Sequence, residues 1–191
     1  QFGLMLTMVA ATFLSSCSGD DNGGGGGSAA NGTIKAKIAG SNFNGSVASF
    51  AMKQSVGAGA YMITLQGSDA SGNALQLILN GVDGQPGTFE IGTDTTISAV
   101  GTYTETEINL SNPAASTFTT WAAPYEDSGV VGSITISEIT DTNIKGTFSF
   151  TGKNQEGTDT KAVTNGAFIR CTILHMVKVM PSKILHTQFV H

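Results

Sequence analysis

Between Thr33 and Ile169 apolar and polar residues alternate with a period of two, the pattern of strands that bury one face. Thr33 to Ile38 sets Ile34, Ala36 and Ile38 on one face and Lys35 and Lys37 on the other. Ala48, Phe50 and Met52 share a face in the next run, Tyr61, Ile63 and Leu65 in the third, and Leu75, Leu77 and Leu79 in the fourth. Gly67 to Asn73, rich in Gly, Asp and Asn, reads as the hairpin connection between the last two. Gly81 to Gly87, with Pro86, is a further turn, and Phe89 and Ile91 flank Glu90 in a short strand. A strand is expected around Thr96 to Tyr103. Glu105 to Ser116, which contains Pro113, is less regular, Phe118 to Trp121 is a short strand, and Pro124 to Ser128 is a loop. Ile134 and Ile136 then point inward from Val130 to Ile139. Thr140 to Asn143 turns the chain, and Ile144, Phe148 and Phe150 point inward from the return strand. Gly152 to Asp159 is a polar loop and Lys161 to Ile169 the last strand. About ten short strands, short turns and no long amphipathic helix predict an all-β fold, an antiparallel meander forming a sandwich or barrel.

The pattern changes before residue 33. An apolar run from Phe2 to Leu14 is long enough for a signal-peptide core and too short to span a bilayer. It ends in Leu14-Ser15-Ser16-Cys17, which resembles a bacterial lipobox, where a peptidase cuts before the Cys and the thiol carries a diacylglyceryl group. Residues 1–16 are therefore expected to be a signal peptide continuing upstream of Gln1, and Cys17 the lipidation site. Two ester-linked chains make a durable anchor where one alone holds only marginally. Residues 17–32, with Gly23 to Gly27, read as a Gly-rich tether. Ser18 followed by Asp20-Asp21 resembles the acidic signal that sends lipoproteins to the outer face of the outer membrane; solubility alone explains it equally well.

Composition narrows the remainder. The 191 residues, less signal and tether, leave one β domain over residues 33–169, large enough for a core without staples. A net charge of −5 and the absence of a basic cluster exclude a nucleic-acid partner. With Cys17 lipidated, Cys171 is the one remaining thiol, so no disulfide framework is expected.

Candidate chemistry is sparse. No His lies within residues 33–169, so Ser-His-Asp and Cys-His nucleophile arrangements have no base there. Glu105 and Glu107 alternate on one strand face with Tyr103, the residue types of a glycosidase pair or, more simply, of a solvated face. Ser68 to Asn73 and Asn80 to Gly84 carry oxygen ligands but lack EF-hand spacing, and read as Asx and Gly turns rather than a metal site. Trp121 and Tyr125, in the least regular segment, together with Tyr103, are the candidate ligand-binding residues: aromatic faces stack on sugars or on a partner. The competing expectation places Trp121 in the core, where Trp is buried on average.

Ile34 to Phe43 (IKAKIAGSNF), Leu65 to Asp69 (LQGSD), Gly146 to Phe150 (GTFSF) and Val163 to Phe168 (VTNGAF) resemble a family of small Bacteroidota lipoproteins, the domain of unknown function DUF6252. The resemblance covers about residues 32–168 and rests on core and turn positions, so it implies a fold and carries over no chemistry. Residues 170–191 depart from it. They contain no Gly, Asp or Glu, and they hold all three histidines, His175, His186 and His191, with Cys171, Met176 and Met180. The spacings match no known metal geometry, and the segment reads as an atypical, frameshifted tail, ahead of a real amphipathic segment and of a metal-binding one. The expected protein is thus a lipid-anchored outer-membrane module, non-enzymatic and without cofactor or metal, that meets a glycan or protein partner. A structural envelope accessory without ligand and a carboxylate-dependent glycosidase are its rivals.

Overall fold

The computed structural model describes residues 29–169, except 94 and 96, and the backbone of 170 and 173–176. Cys17, with the signal segment and tether around it, lies outside the described residues, as do Cys171, Met180, His186 and His191. The chain forms β1 (Thr33–Ile38), β2 (Ser41–Gly45), β3 (Phe50–Gly57), β4 (Ala60–Ser68), β5 (Ala74–Val82), β6 (Gly87–Gly92) and β7 (Ser98–Glu107). A 3-10 turn at Pro113–Ala115 precedes β8 (Thr117–Ala123), β9 (Val130–Ile139), β10 (Ile144–Asn154), β11 (Thr160–Arg170) and β12 (Ile173–Met176). The fold is all-β, as the alternation predicts, with 12 strands in one sheet among the described residues.

Neighbours in space are not always neighbours in sequence. The path runs β12-β3-β4-β5-β7-β8-β10-β11-β1-β2, and β6 leaves it to pair with β9, which pairs with β10. β10 is the branch point. Its first half pairs with β9 through Ile144 to Phe150, and its last two residues reach β8 at Ala122 and Trp121. Among the described strands every pairing is antiparallel except that of β12 with β3, so Ile173–Met176 add a parallel strand. The path is open but curled. The Val47 N–H donates to the Ser68 carbonyl at 2.9 Å, bringing the end of β2 back onto β4. Gly45 and Gly67 make that approach possible, since a Cβ on Gly67 would lie 2.8 Å from the Gly45 carbonyl oxygen and strike Ile34.

The core fills the inside of the curl. Ile34, Ala36 and Ile38 of β1, Leu75, Leu77 and Leu79 of β5, Ile134 and Ile136 of β9, and Ile144, Phe148 and Phe150 of β10 are all buried there, as their alternation predicts. β3 departs from expectation. Ala51 faces the core, while Phe50 and Met52 are half-buried and Ala48 is exposed. Phe50-Ala51-Met52 is apolar throughout, so alternation cannot choose a face. Cross-strand pairing does, by setting Ala51 opposite the core residue Leu65. β2 (SNFNG) had no strand signal of its own; it exists because β1 offers an edge and Phe43 fills the core.

Two hairpins turn on Ala-Gly. Ala39 (φ 46°) and Gly40 (φ 88°) join β1 to β2, and Ala58 (φ 51°) and Gly59 (φ 78°) join β3 to β4. Two-residue turns with both φ positive suit strand twist, but an L-alanine in the left-handed region is strained and Asn is favoured there. Ala39→Asn and Ala58→Asn are each expected to stabilise the domain by about 0.5–1 kcal/mol. The check is the urea midpoint; a drop in either variant contradicts the turn assignment.

Candidate functional site

Two of the three aromatic candidates come together, and both are inside. Tyr103 and Trp121 sit opposite each other on β7 and β8, 4% and 5% exposed, with rings stacked at 6.1 Å and 28°. Phe43 meets Tyr103 edge-on at 5.9 Å. Tyr125 stands apart, half-buried beyond β8, with the Lys153 Nζ 5.9 Å from its ring centre. The aromatic faces of Tyr103 and Trp121 are thus filled by protein. Lys161 of β11 lays its ammonium 3.6 Å from the Trp121 ring centre and 5.6 Å from that of Tyr103, and ion-pairs with Glu105. A cation over an indole is worth roughly 0.5–2 kcal/mol. Burial, with Glu105 and Asp69 adding negative potential, pushes the Tyr103 hydroxyl well above its ordinary pKa.

The polar edge of Trp121 is also engaged. Its Nε1–H donates to Asp159 Oδ2 at 2.7 Å, and Asn154 Nδ2 donates to Asp159 Oδ1 at 2.8 Å. These two donors, the indole first, hold the Asp159 carboxyl below the usual aspartate range. The sign follows. The bonds favour the ionised, folded form, so their contribution is present above about pH 4 and lost as pH falls through the depressed folded value. Trp121 is the one tryptophan, so its emission is expected to hold steady down to about pH 4 and to change below it. Asp159→Asn, whose amide oxygen still accepts from the indole, is expected to keep the neutral-pH spectrum and lose that acid transition. A transition that persists in Asp159→Asn assigns it to another group.

The carboxylate candidates are committed to internal contacts. Glu105 holds Lys161, and Glu107 accepts from Thr117 Oγ1 at 3.3 Å. In the β4–β5 loop Asp69 Oδ1 accepts the Ser71 and Asn73 N–H groups at 2.9 and 3.0 Å, an Asx turn. Asp83 does the same for the Gln85 N–H at 3.0 Å. Among the described residues no group of three His, Cys, Asp or Glu side chains is placed to hold a metal.

A recess elsewhere was not foreseen. Its floor is the backbone of Ala36 and Phe43, and its walls are Lys35, Lys37, Asn42, Asn44 and Asn165, around about 390 Å³. Strand pairing builds it. Lys35 lies opposite Asn44 and Lys37 opposite Asn42. On the other side the β1–β11 register shifts between Lys35 and Lys37, leaving Asn165 at a bulge with φ 51°. Bulges re-aim side chains, and Asn tolerates the left-handed region better than most residues. Among the described residues none of these five side chains makes a hydrogen bond or ion pair, and no acid lines the recess. Two ammonium groups and three amides therefore face solvent together. Alternation alone shows Lys35 and Lys37 on one face; only the unpredicted β2 and the bulge in β11 add the amides.

Neither a curated protein nor a solved structure matches the chain. A family model described as a domain of unknown function (DUF6252) matches residues 30–172, from the residues before β1 to just past the end of β11. The match spans the whole curled sheet as far as that strand, and on this ground the chain belongs to the DUF6252 family.

Proposed function

We propose that this chain is a non-catalytic module of the cell envelope, anchored in the outer membrane through Cys17 and facing the exterior, that binds an acidic saccharide in the recess between β1, β2 and β11. The observation that carries the reading is the recess itself. Its lysines offer charge to a carboxylate, and its amides offer both donors and acceptors to hydroxyls. Stacking on Tyr103 and Trp121 is not part of the mechanism, because Lys161 and the protein interior occupy those rings. Glycoside hydrolysis is not part of it either, since Glu105 serves Lys161 and Glu107 serves Thr117. The Leu14 to Cys17 lipobox-like segment supports the address.

A glycan array probed with the full chain tests the role. Carboxylate-bearing glycans are expected to bind, and the Lys35→Gln/Lys37→Gln variant to bind them about fivefold to tenfold more weakly at unchanged stability. A blank array with a folded protein, or a hit indifferent to both lysines, removes the recess as the site.

A further inference from the structure

Apolar side chains of this domain gather at one end. Leu110 is 89% exposed, Phe118 66% and Ile108 60%, all on or beside the connection between β7 and β8. Val47, 65% exposed, follows β2. These are four of the six large apolar side chains that stand exposed among the described residues. Isolated exposed apolar residues are ordinary; several sharing one end mark a contact surface.

That end is also where the chain enters the domain. Ile34, just inside β1, pairs with Gly45 and packs against Gly67. Val47, two residues beyond Gly45, bonds to Ser68. The β4–β5 loop that follows Ser68 is tied to β7: the Thr106 N–H donates to Asn73 Oδ1 at 3.0 Å and Thr106 Oγ1 to the Gly72 carbonyl at 2.9 Å. Ile108 is two residues on, and Phe118 sits directly opposite Thr106. A continuous set of contacts thus links the entry of the chain to the apolar tip.

We propose that this end rests on the lipid surface that holds the anchor, with Ile108, Leu110 and Phe118 entering the interfacial layer. The inference rests on the anchor reading given above. Covalent geometry limits the span from Cys17 to residue 29 to about 40 Å, so the entry end is held within that distance of the bilayer. The 107–118 segment contains no Lys or Arg and one acid, Glu107, so its contact rests on Ile108, Leu110 and Phe118 rather than on attraction to anionic lipid, and suits zwitterionic lipid. A second copy and a protein partner are the competing occupants.

The test uses the full chain in a Cys171→Ser background, with Leu110→Cys or Asp83→Cys carrying an environment-sensitive fluorophore. Asp83 follows β5 at its far end and serves as the distant control. In isolated membranes the probe at 110 is expected to shift to the blue and to be quenched by nitroxide-labelled phosphatidylcholine, while the probe at 83 stays solvent-like. Membrane-bound protein with both probes solvent-like overturns the seating and leaves the anchor standing. A blue-shifted probe at 110 that lipid nitroxide does not quench assigns the surface to a protein and also overturns it. Protein recovered in the soluble fraction, without lipid on Cys17, overturns the anchor and the seating together.

Discussion

Gly146→Ala is expected to destabilise the domain by about 3 kcal/mol, at the upper end of what overpacking costs. Gly146 sits inside the β9–β10–β11 part of the sheet, opposite Ile136 on one side and Phe168 on the other. A Cβ there would be driven into the Thr135 carbonyl oxygen, with Phe168 Cζ 2.5 Å away. The first obstacle is backbone in a hydrogen-bonded ladder, which cannot swing aside as a side-chain end can. The register shift between Lys145 and Gly146 is what brings that carbonyl so close. Urea unfolding followed by circular dichroism reads the loss directly. A midpoint within error of the parent means that the bulge relaxes to accept a methyl group.

The second large effect lies across the same pair. Phe168→Ala is expected to cost about 3–5 kcal/mol, the range for removing a buried aromatic ring. Phe168 is 1% exposed and stacks on Phe148 at 6.3 Å and 27°. The arrangement is reciprocal. Phe168 lies opposite Gly146, and Phe148 lies opposite Gly166, so each ring covers the bare backbone of the glycine facing it. Removing one ring opens a cavity and exposes a glycine to it. Contacting residues do not add independently, so the double variant Gly146→Ala/Phe168→Ala is expected to fall short of the sum. The shortfall measures the ring's share of the Gly146 clash; the Thr135 carbonyl accounts for what persists. Simple additivity places the whole clash on the backbone.

Strands with one apolar face were legible. β1, β5, β9 and β10 follow from alternation because each repeats buried aliphatic or aromatic residues at every second position, with mostly polar residues such as Lys, Gln, Ser, Thr or Asn between them. Strands defined by a partner were not. β2 is mostly Ser, Asn and Gly, and β3 is apolar on both faces where it matters, so register alone decides Ala51. The candidate site was legible in the same measure. Trp121 and Tyr103 were visible as large aromatics, but the lysine that covers them comes from β11, forty residues and more along the chain. The recess was invisible for a related reason: Lys35, Asn42 and Asn165 belong to three strands whose alignment depends on a bulge.

The pairing of β1 with β11 has a consequence for how the domain comes to exist. Thr33 lies against Ile169 and Ile38 against Val163, so the first strand finds its inner neighbour only in β11, about 125 residues along the chain. During synthesis from the N-terminus, β1 has no inner strand partner until β11 has emerged. Closing so long a loop is slow, and non-local pairing of this kind lowers folding rates. The locally paired strands from β3 to β8 can meet as they emerge, but the curl is closed at β1 only once β11 is made.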